Sequence, residues 1–126
     1  MAKISILQNP TFKADVEIPR VGDKPVKVQF VFNYLDRDKL ADFTDAGLSS
    51  SKEVRELLEK DPTVREVTAK ILDHQIEQLQ TIIASWGFEE ELNEANLRAL
   101  VGSTASVPEA ILDAYHGAYK RAREGN

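Results

Sequence analysis

Cysteine is absent from this chain of 126 residues, which excludes disulfides, thiol catalysis and cysteine-ligated zinc together. Histidine is scarce. His74 and His116 are the only two, each within a stretch that reads as helix, and a metal site needs three or four convergent ligands. His74 shares a face with Glu77, but without further ligands both histidines read better as surface or helix-lining residues. The six glycines are scattered and form neither a Gly-x-Gly-x-x-Gly fingerprint nor a Walker loop. No serine sits in a Gly-x-Ser-x-Gly turn. Apolar runs are short as well: none approaches the roughly 20 residues needed to cross a bilayer. Met1-Ala2-Lys3-Ile4-Ser5-Ile6-Leu7 reaches Gln8-Asn9-Pro10 before a signal core can form, so a cytoplasmic address is expected.

Positive charge is also in deficit. Sixteen Lys and Arg stand against 21 Asp and Glu, a net charge of -5, which argues against a sequence-independent grip on nucleic acid phosphates. The one basic concentration is Lys120, Arg121 and Arg123, placed where the C-terminal end of a helix favours cations. Carboxylates are numerous enough that neighbouring pairs arise by chance, so they carry no glycosidase signal. The residues point to no catalytic, cofactor or metal site, and a non-enzymatic role is expected.

What is present is pattern. With 42% hydrophobic and 29% charged residues, the chain falls in the range of one globular domain spanning 1–126. Phe12, Ala14, Val16 and Ile18 alternate with charged residues, as do Val26, Val28, Phe30 and Phe32 with polar ones, the period of two of a half-buried strand. Pro19, Gly22 and Pro25 force a turn between the two runs, giving a β-hairpin region over 1–35. Ile4-Ser5-Ile6 has the pattern of a short extra strand. The prolines and charges of the hairpin either suffice against edge pairing or leave an edge open to a partner strand, and the free edges leave self-association into a homo-oligomer open.

From Asp36 the period becomes helical, so residues 36–126 form the helical region. A helix capped by Asp36 or Asp38 carries Leu40 and Phe43 and stops at Gly47. A second start is read at Ser50, with Glu53 at capping-box spacing, turning Val54, Leu57 and Leu58 inward. Asp61 as cap and Pro62 in the first turn open the longest helix, running to about Ser85 over on the order of 36 Å. Its apolar stripe runs from Val64 through Ile71, Ile76, Leu79 and Ile83 to Trp86. A short helix over Asn93–Val101 and a last one from Ser106, boxed by Glu109, complete the pattern. The expected fold is α+β: an N-terminal antiparallel β-hairpin or small sheet packed against a C-terminal bundle of about four to five helices.

Four aromatics gather in the C-terminal half, and such side chains dominate interaction hot spots. Trp86 and Tyr115 continue the apolar faces of their helices, so a core reading competes with the interface reading for both. Phe88 and Tyr119 divide evenly between the two. Trp86, Phe88, Tyr115 and Tyr119 are therefore the candidate partner-binding residues.

The succession Ile83-Ala84-Ser85-Trp86-Gly87-Phe88, Asn96-Leu97-Arg98-Ala99-Leu100, Pro108 to Tyr115 and Arg121 to Asn126 resembles the end of a family of bacteriophage tail assembly chaperones of siphophage and prophage type. Pro10-Thr11-Phe12, Val16-Glu17-Ile18-Pro19, the Gly22 turn, Val28 to Phe32 and Arg37-Asp38-Lys39-Leu40 resemble its beginning. The resemblance implies a protein that binds the tape measure protein, keeps it soluble and brings tail tube protein to it, with no nucleic acid or membrane partner. It implies work in the host bacterial cytoplasm, absence from the mature virion, and a longer form of the chain made by ribosomal frameshifting, of which this would be the short form. A minor tail or connector protein retained in the virion is the competing reading.

Overall fold

In the computed structural model, which describes residues 2–125, the alternating runs pair as expected. Strand β1 (Thr11–Arg20) and strand β2 (Asp23–Asn33) are antiparallel, with Phe12 opposite Phe32, Ala14 opposite Phe30 and Val16 opposite Val28. Gly22 (φ 72) makes the turn, a positive φ that glycine adopts without steric cost. The register slips between Ile18 and Arg20. Pro19 and Pro25 sit in that irregularity, where their missing N–H groups interrupt no regular ladder.

Helix α1 (Arg37–Leu58) starts at Asp36, whose carboxylate accepts from Lys39 N at 2.9 Å, and it does not stop at Gly47. The two helices read from the sequence are one, and Ser50 with Glu53 forms no cap, because both lie inside it. A mid-helix glycine costs only about 1 kcal/mol relative to alanine. Gly47 has no positive φ, and a Cβ there would meet only Gln78 Nε2 at 3.6 Å. Leu40 and Phe43 pack against the core, yet α1 contains no fully buried residue, and Leu58 is exposed rather than turned inward.

The next boundary is also displaced. Asp61 is not a cap: it takes φ 51 in the connection, and helix α2 (Val64–Ile82) is capped by Thr63. Thr63 Oγ1 accepts from Glu66 N at 3.1 Å, while Glu66 Oε1 accepts from Thr63 N at 3.5 Å, a reciprocal box. Val64, read as part of the inward stripe, is exposed. At the other end the helix stops short of Ser85, and residues Ile83–Trp86 form strand β3. Ile83 pairs with Phe32, Ser85 with Val31 and Trp86 with Phe30, so the sheet order is β1-β2-β3. The open edge of β2 offers these residues backbone partners, and tertiary pairing overrides their helical spacing. Asn33 Nδ2 donates to Thr81 O at 3.0 Å, satisfying a carbonyl in the last turn of α2. Ile4-Ser5-Ile6 is in no strand, and the third strand comes from the far half of the chain.

Helix α3 (Glu94–Val101) is capped by Asn93, which accepts from Asn96 N at 2.8 Å. Helix α4 (Ser106–Glu124) lacks the expected Ser106–Glu109 box. Thr104 Oγ1 takes over by accepting from Ser106 N at 3.1 Å. Arg121 and Arg123 lie in its last turn, before Gly125 at φ 76. The result is α+β: a three-stranded antiparallel sheet whose apolar face, with Val16, Ile18, Phe30 and Phe32 fully buried, lies in one cluster with Ile76, Leu79 and Ile82 of α2, Leu97 of α3 and Ile111 and Tyr115 of α4.

Cap positions separate the two accounts of the helices. Thr63→Ala is expected to lower unfolding stability by about 1 kcal/mol, within the usual range for a lost N-cap. Ser50→Ala, in mid-helix, is expected to change it by less than about 0.5 kcal/mol. Chemical denaturation of the two variants measures both.

Candidate partner-binding surface

The four aromatic candidates fall into two pairs with different environments. Tyr115 and Tyr119, one turn apart on α4, are buried. Tyr115 OH donates to Asn33 O at 3.2 Å and Tyr119 OH to Leu35 O at 2.7 Å, pinning α4 to the chain where it leaves β2. The Tyr119 ring stacks on Tyr34 with centroids 5.1 Å apart, and Tyr115 meets Phe32 edge-on at 5.2 Å. Burial raises both phenols above the ordinary tyrosine value, with the neighbouring Tyr34 adding to the effect. These two side chains are engaged by their own fold.

Trp86 and Phe88 form the other pair, half-buried at and just after the end of β3, beside Phe30 of β2. Their rings meet at right angles 5.1 Å apart, and each lies edge-on to Phe30, at 6.4 Å and 6.0 Å. Trp86 Nε1 donates to Glu90 O at 2.8 Å, which curls the acidic segment back over the indole. Asn96 Nδ2 donates to Glu91 O at 2.7 Å, tying the same segment to α3. Gly87 permits this path. A Cβ there would lie 3.2 Å from the Gln29 carbonyl oxygen, tighter than side chains normally approach. Between this pair, the β1–β2 turn and α3 lies a groove of about 470 Å³, lined by Pro19, Val21, Trp86, Phe88, Leu100 and Val107. Asp23 and Glu90 stand on its wall with Arg20.

Residue spacing pointed to Trp86 and Phe88 but missed Val21 and Leu100. Val21 was legible as an anomaly, an aliphatic residue within a turn, and it is 84% exposed. Its partners in the groove come from α3 and from the loop before α4, which no local pattern connects to that turn.

A second concavity of about 600 Å³ separates α1 from α2 and the end of β2, with His74 among its lining residues. His74 Nε2 lies 2.9 Å from Glu53 Oε2, within ion-pair reach but without hydrogen-bond alignment, and Lys70 Nζ is 3.4 Å from the same carboxylate. Lysine is no metal ligand at this position, and among the described residues no three histidine or acidic side chains converge. His74 and Glu77 both line that concavity without forming such a set. No helix among the described residues is long and apolar enough to cross a membrane.

The buried phenols give the fold an alkaline limit. A phenol whose folded pKa is raised contributes stability that is present below the unfolded value of 10.0 and declines as pH rises above it. The melting temperature is expected to fall above about pH 10, and to fall less steeply in Tyr115→Phe than in the parent chain. Thermal unfolding across alkaline buffers tests the slope.

A family model described as phage tail assembly chaperone matches residues 1–126, the whole chain. No curated protein and no solved structure matches. With that match extending from the first strand through the Trp86–Phe88 groove to the end of the last helix, the chain belongs to the phage tail assembly chaperone family.

Proposed function

We propose that this chain is a non-catalytic holding chaperone that binds the tape measure protein and helps bring tail tube protein to it. The observation that carries the reading is the family match over all 126 residues. The geometry fits it: a holding protein needs apolar surface that meets unfinished client segments and enough charge to keep the complex dispersed. The groove beside Trp86 and Phe88 supplies the first, and a net charge of -5 supplies the second. Trp86 and Phe88 are proposed as client contacts, because their rings are already held by Phe30 and present a preformed edge. Tyr115 and Tyr119 act indirectly, by holding α4 on the sheet. In this reading the 126 residues act as one domain in the host cytoplasm, alongside a frameshifted longer form, and leave before the virion is complete.

Co-expression tests the activity. Tape measure protein made alone is expected to aggregate, and to become soluble when this chain is made with it. Trp86→Ala/Phe88→Ala is expected to lose at least tenfold of that soluble yield while keeping a native circular dichroism spectrum. Mass spectrometry of purified particles supplies the counter-test. Finding the chain there in fixed copy number would identify a structural tail protein instead.

A further inference from the structure

The two outer strands of the sheet differ. Strand β3 is four residues long, and the chain beyond it curls back so that Glu90 O accepts from Trp86 Nε1. Strand β1 is ten residues long and pairs only with β2, so one of its edges has no strand beside it.

The register identifies the backbone groups on that edge. Tyr34 N–H donates to Pro10 O at 2.8 Å, and these two residues are one step beyond the Thr11–Asn33 pair. Bonded and non-bonded pairs alternate along an antiparallel ladder, so Phe12, Ala14 and Val16 spend their N–H and C=O groups on Phe32, Phe30 and Val28. Thr11, Lys13, Asp15 and Glu17 direct theirs the other way. Strand β2 shows the same phase: Asn33 O, opposite Thr11, is turned away from β1 and accepts from Tyr115 OH. Among the described residues no second backbone segment pairs with the outward groups at these four positions.

Side chains give the edge a pattern. Lys13, Asp15 and Glu17 are exposed on the solvent face, whereas Phe12 and Ala14 are half-buried against the core. Glu17 has Lys27 opposite it on β2, but Asp15 faces Gln29 and Lys13 faces Val31, so these two charges have no cross-strand partner of opposite sign. Helix α4 runs along β1 in the opposite direction. Val107 borders the groove of Pro19 and Val21, and Ala122 and Arg123 border a small cleft with Thr11 and Phe12. Its tyrosines lean toward the end of β2, so the opposite flank, with half-buried Ala110 and Ala114, stands over the side of β1 away from β2. Small side chains there leave room above the edge.

We infer that the outer edge of β1 seats an extended segment of a partner protein, added antiparallel as a fourth strand. Its backbone pairs with Thr11, Lys13, Asp15 and Glu17. Its apolar side chains lie opposite Phe12 and Ala14, beneath α4. On the solvent face it carries an acidic residue opposite Lys13 and a basic one opposite Asp15, the two charges that β2 leaves uncompensated. None of these four positions lines the Trp86–Phe88 groove, and β1 and β3 are opposite edges of the sheet, so one molecule holds a partner at each without conflict. The contact goes beyond the chaperone reading and is separable from it.

A synthetic peptide tests the seat on the purified full-length chain. It is about nine residues long, within the usual range for a strand, and capped at both ends. Valine occupies the positions that face α4, with glutamate opposite Lys13, lysine opposite Asp15 and threonine elsewhere. Hydrogen exchange followed by NMR is expected to find the amides of Lys13, Asp15 and Glu17 fast in the chain alone and slowed about tenfold or more when the peptide saturates. The emission of Trp86, the only tryptophan, is expected to stay constant. A peptide with the two charges exchanged is expected to bind about tenfold more weakly, and Lys13→Glu/Asp15→Lys to reverse that preference. Asp15→Pro removes one outward N–H without touching the β1–β2 ladder, and is expected to weaken the first peptide about tenfold while keeping a native circular dichroism spectrum. If the proline disturbs the strand, the charge-exchanged variant decides by itself. Amides at Lys13, Asp15 and Glu17 that stay fast with peptide bound, equal affinity for the two peptides, or an unreversed preference in the variant would each overturn the inference. Slowing of those amides in the chain alone, growing with its concentration, would put a second copy on the edge and overturn it too. Client solubility, which co-expression reads, is moved by none of these outcomes.

Discussion

The structure depends on covering one face of β2. Phe30 and Phe32 have no exposed surface, and each such side chain contributes about 1.5–3 kcal/mol when removed from water. Two strands form only a marginal ribbon, so that gain is available only if helices close over the face and the strand's second edge finds a partner. The rest of the architecture follows from that demand. Helix α4 packs along β1, α2 brings Ile76, Leu79 and Ile82 to the same cluster, and the four residues after α2 become β3.

The polar contacts act where this covering layer meets the sheet. Two tyrosine hydroxyls reach Asn33 O and Leu35 O more than eighty positions away in sequence, and Asn33 Nδ2 reaches Thr81 O. The end of β2 is thus a junction for α4 and α2 together. Three residues earlier in the same strand, Phe30 holds Trp86 and Phe88 edge-on. A groove built on a fully buried ring is preorganised, which lowers the ordering cost of binding. Helix α1 differs in kind. It contributes Leu40 and Phe43 to the edge of the core and contains no fully buried residue, so much of its length is held only against α2.

The legible parts were those with a local cause. Period-two alternation marked β1 and β2, and Asn93 marked the start of α3. The errors share one form, in which a local signal lost to a longer-range interaction. Gly47 and Ser50 carry stop and start chemistry, but a helix already formed on both sides passes through them at small cost. Ile83 and Trp86 continue the helical stripe of α2 and still enter the sheet, because β2 had an unsatisfied edge. Of the four aromatics, Trp86 and Phe88 border the groove, whereas Tyr115 and Tyr119 are occupied by Asn33 and Leu35. All four were candidates on residue type alone, since chemistry identifies a sticky ring but not what already touches it.

By itself the sequence determined the class of the molecule: an α+β chain with an alternating hairpin followed by amphipathic helices, free of cysteine and rich in acid. Its ordered apolar and aromatic markers determined the family as well. Tertiary structure alone decided the third strand, the merging of two helices into α1, and the division of the aromatics into core and surface. The reason is physical: periodicity and capping are set by neighbours within a few residues, whereas burial and edge pairing are set by whatever the folded chain brings from elsewhere.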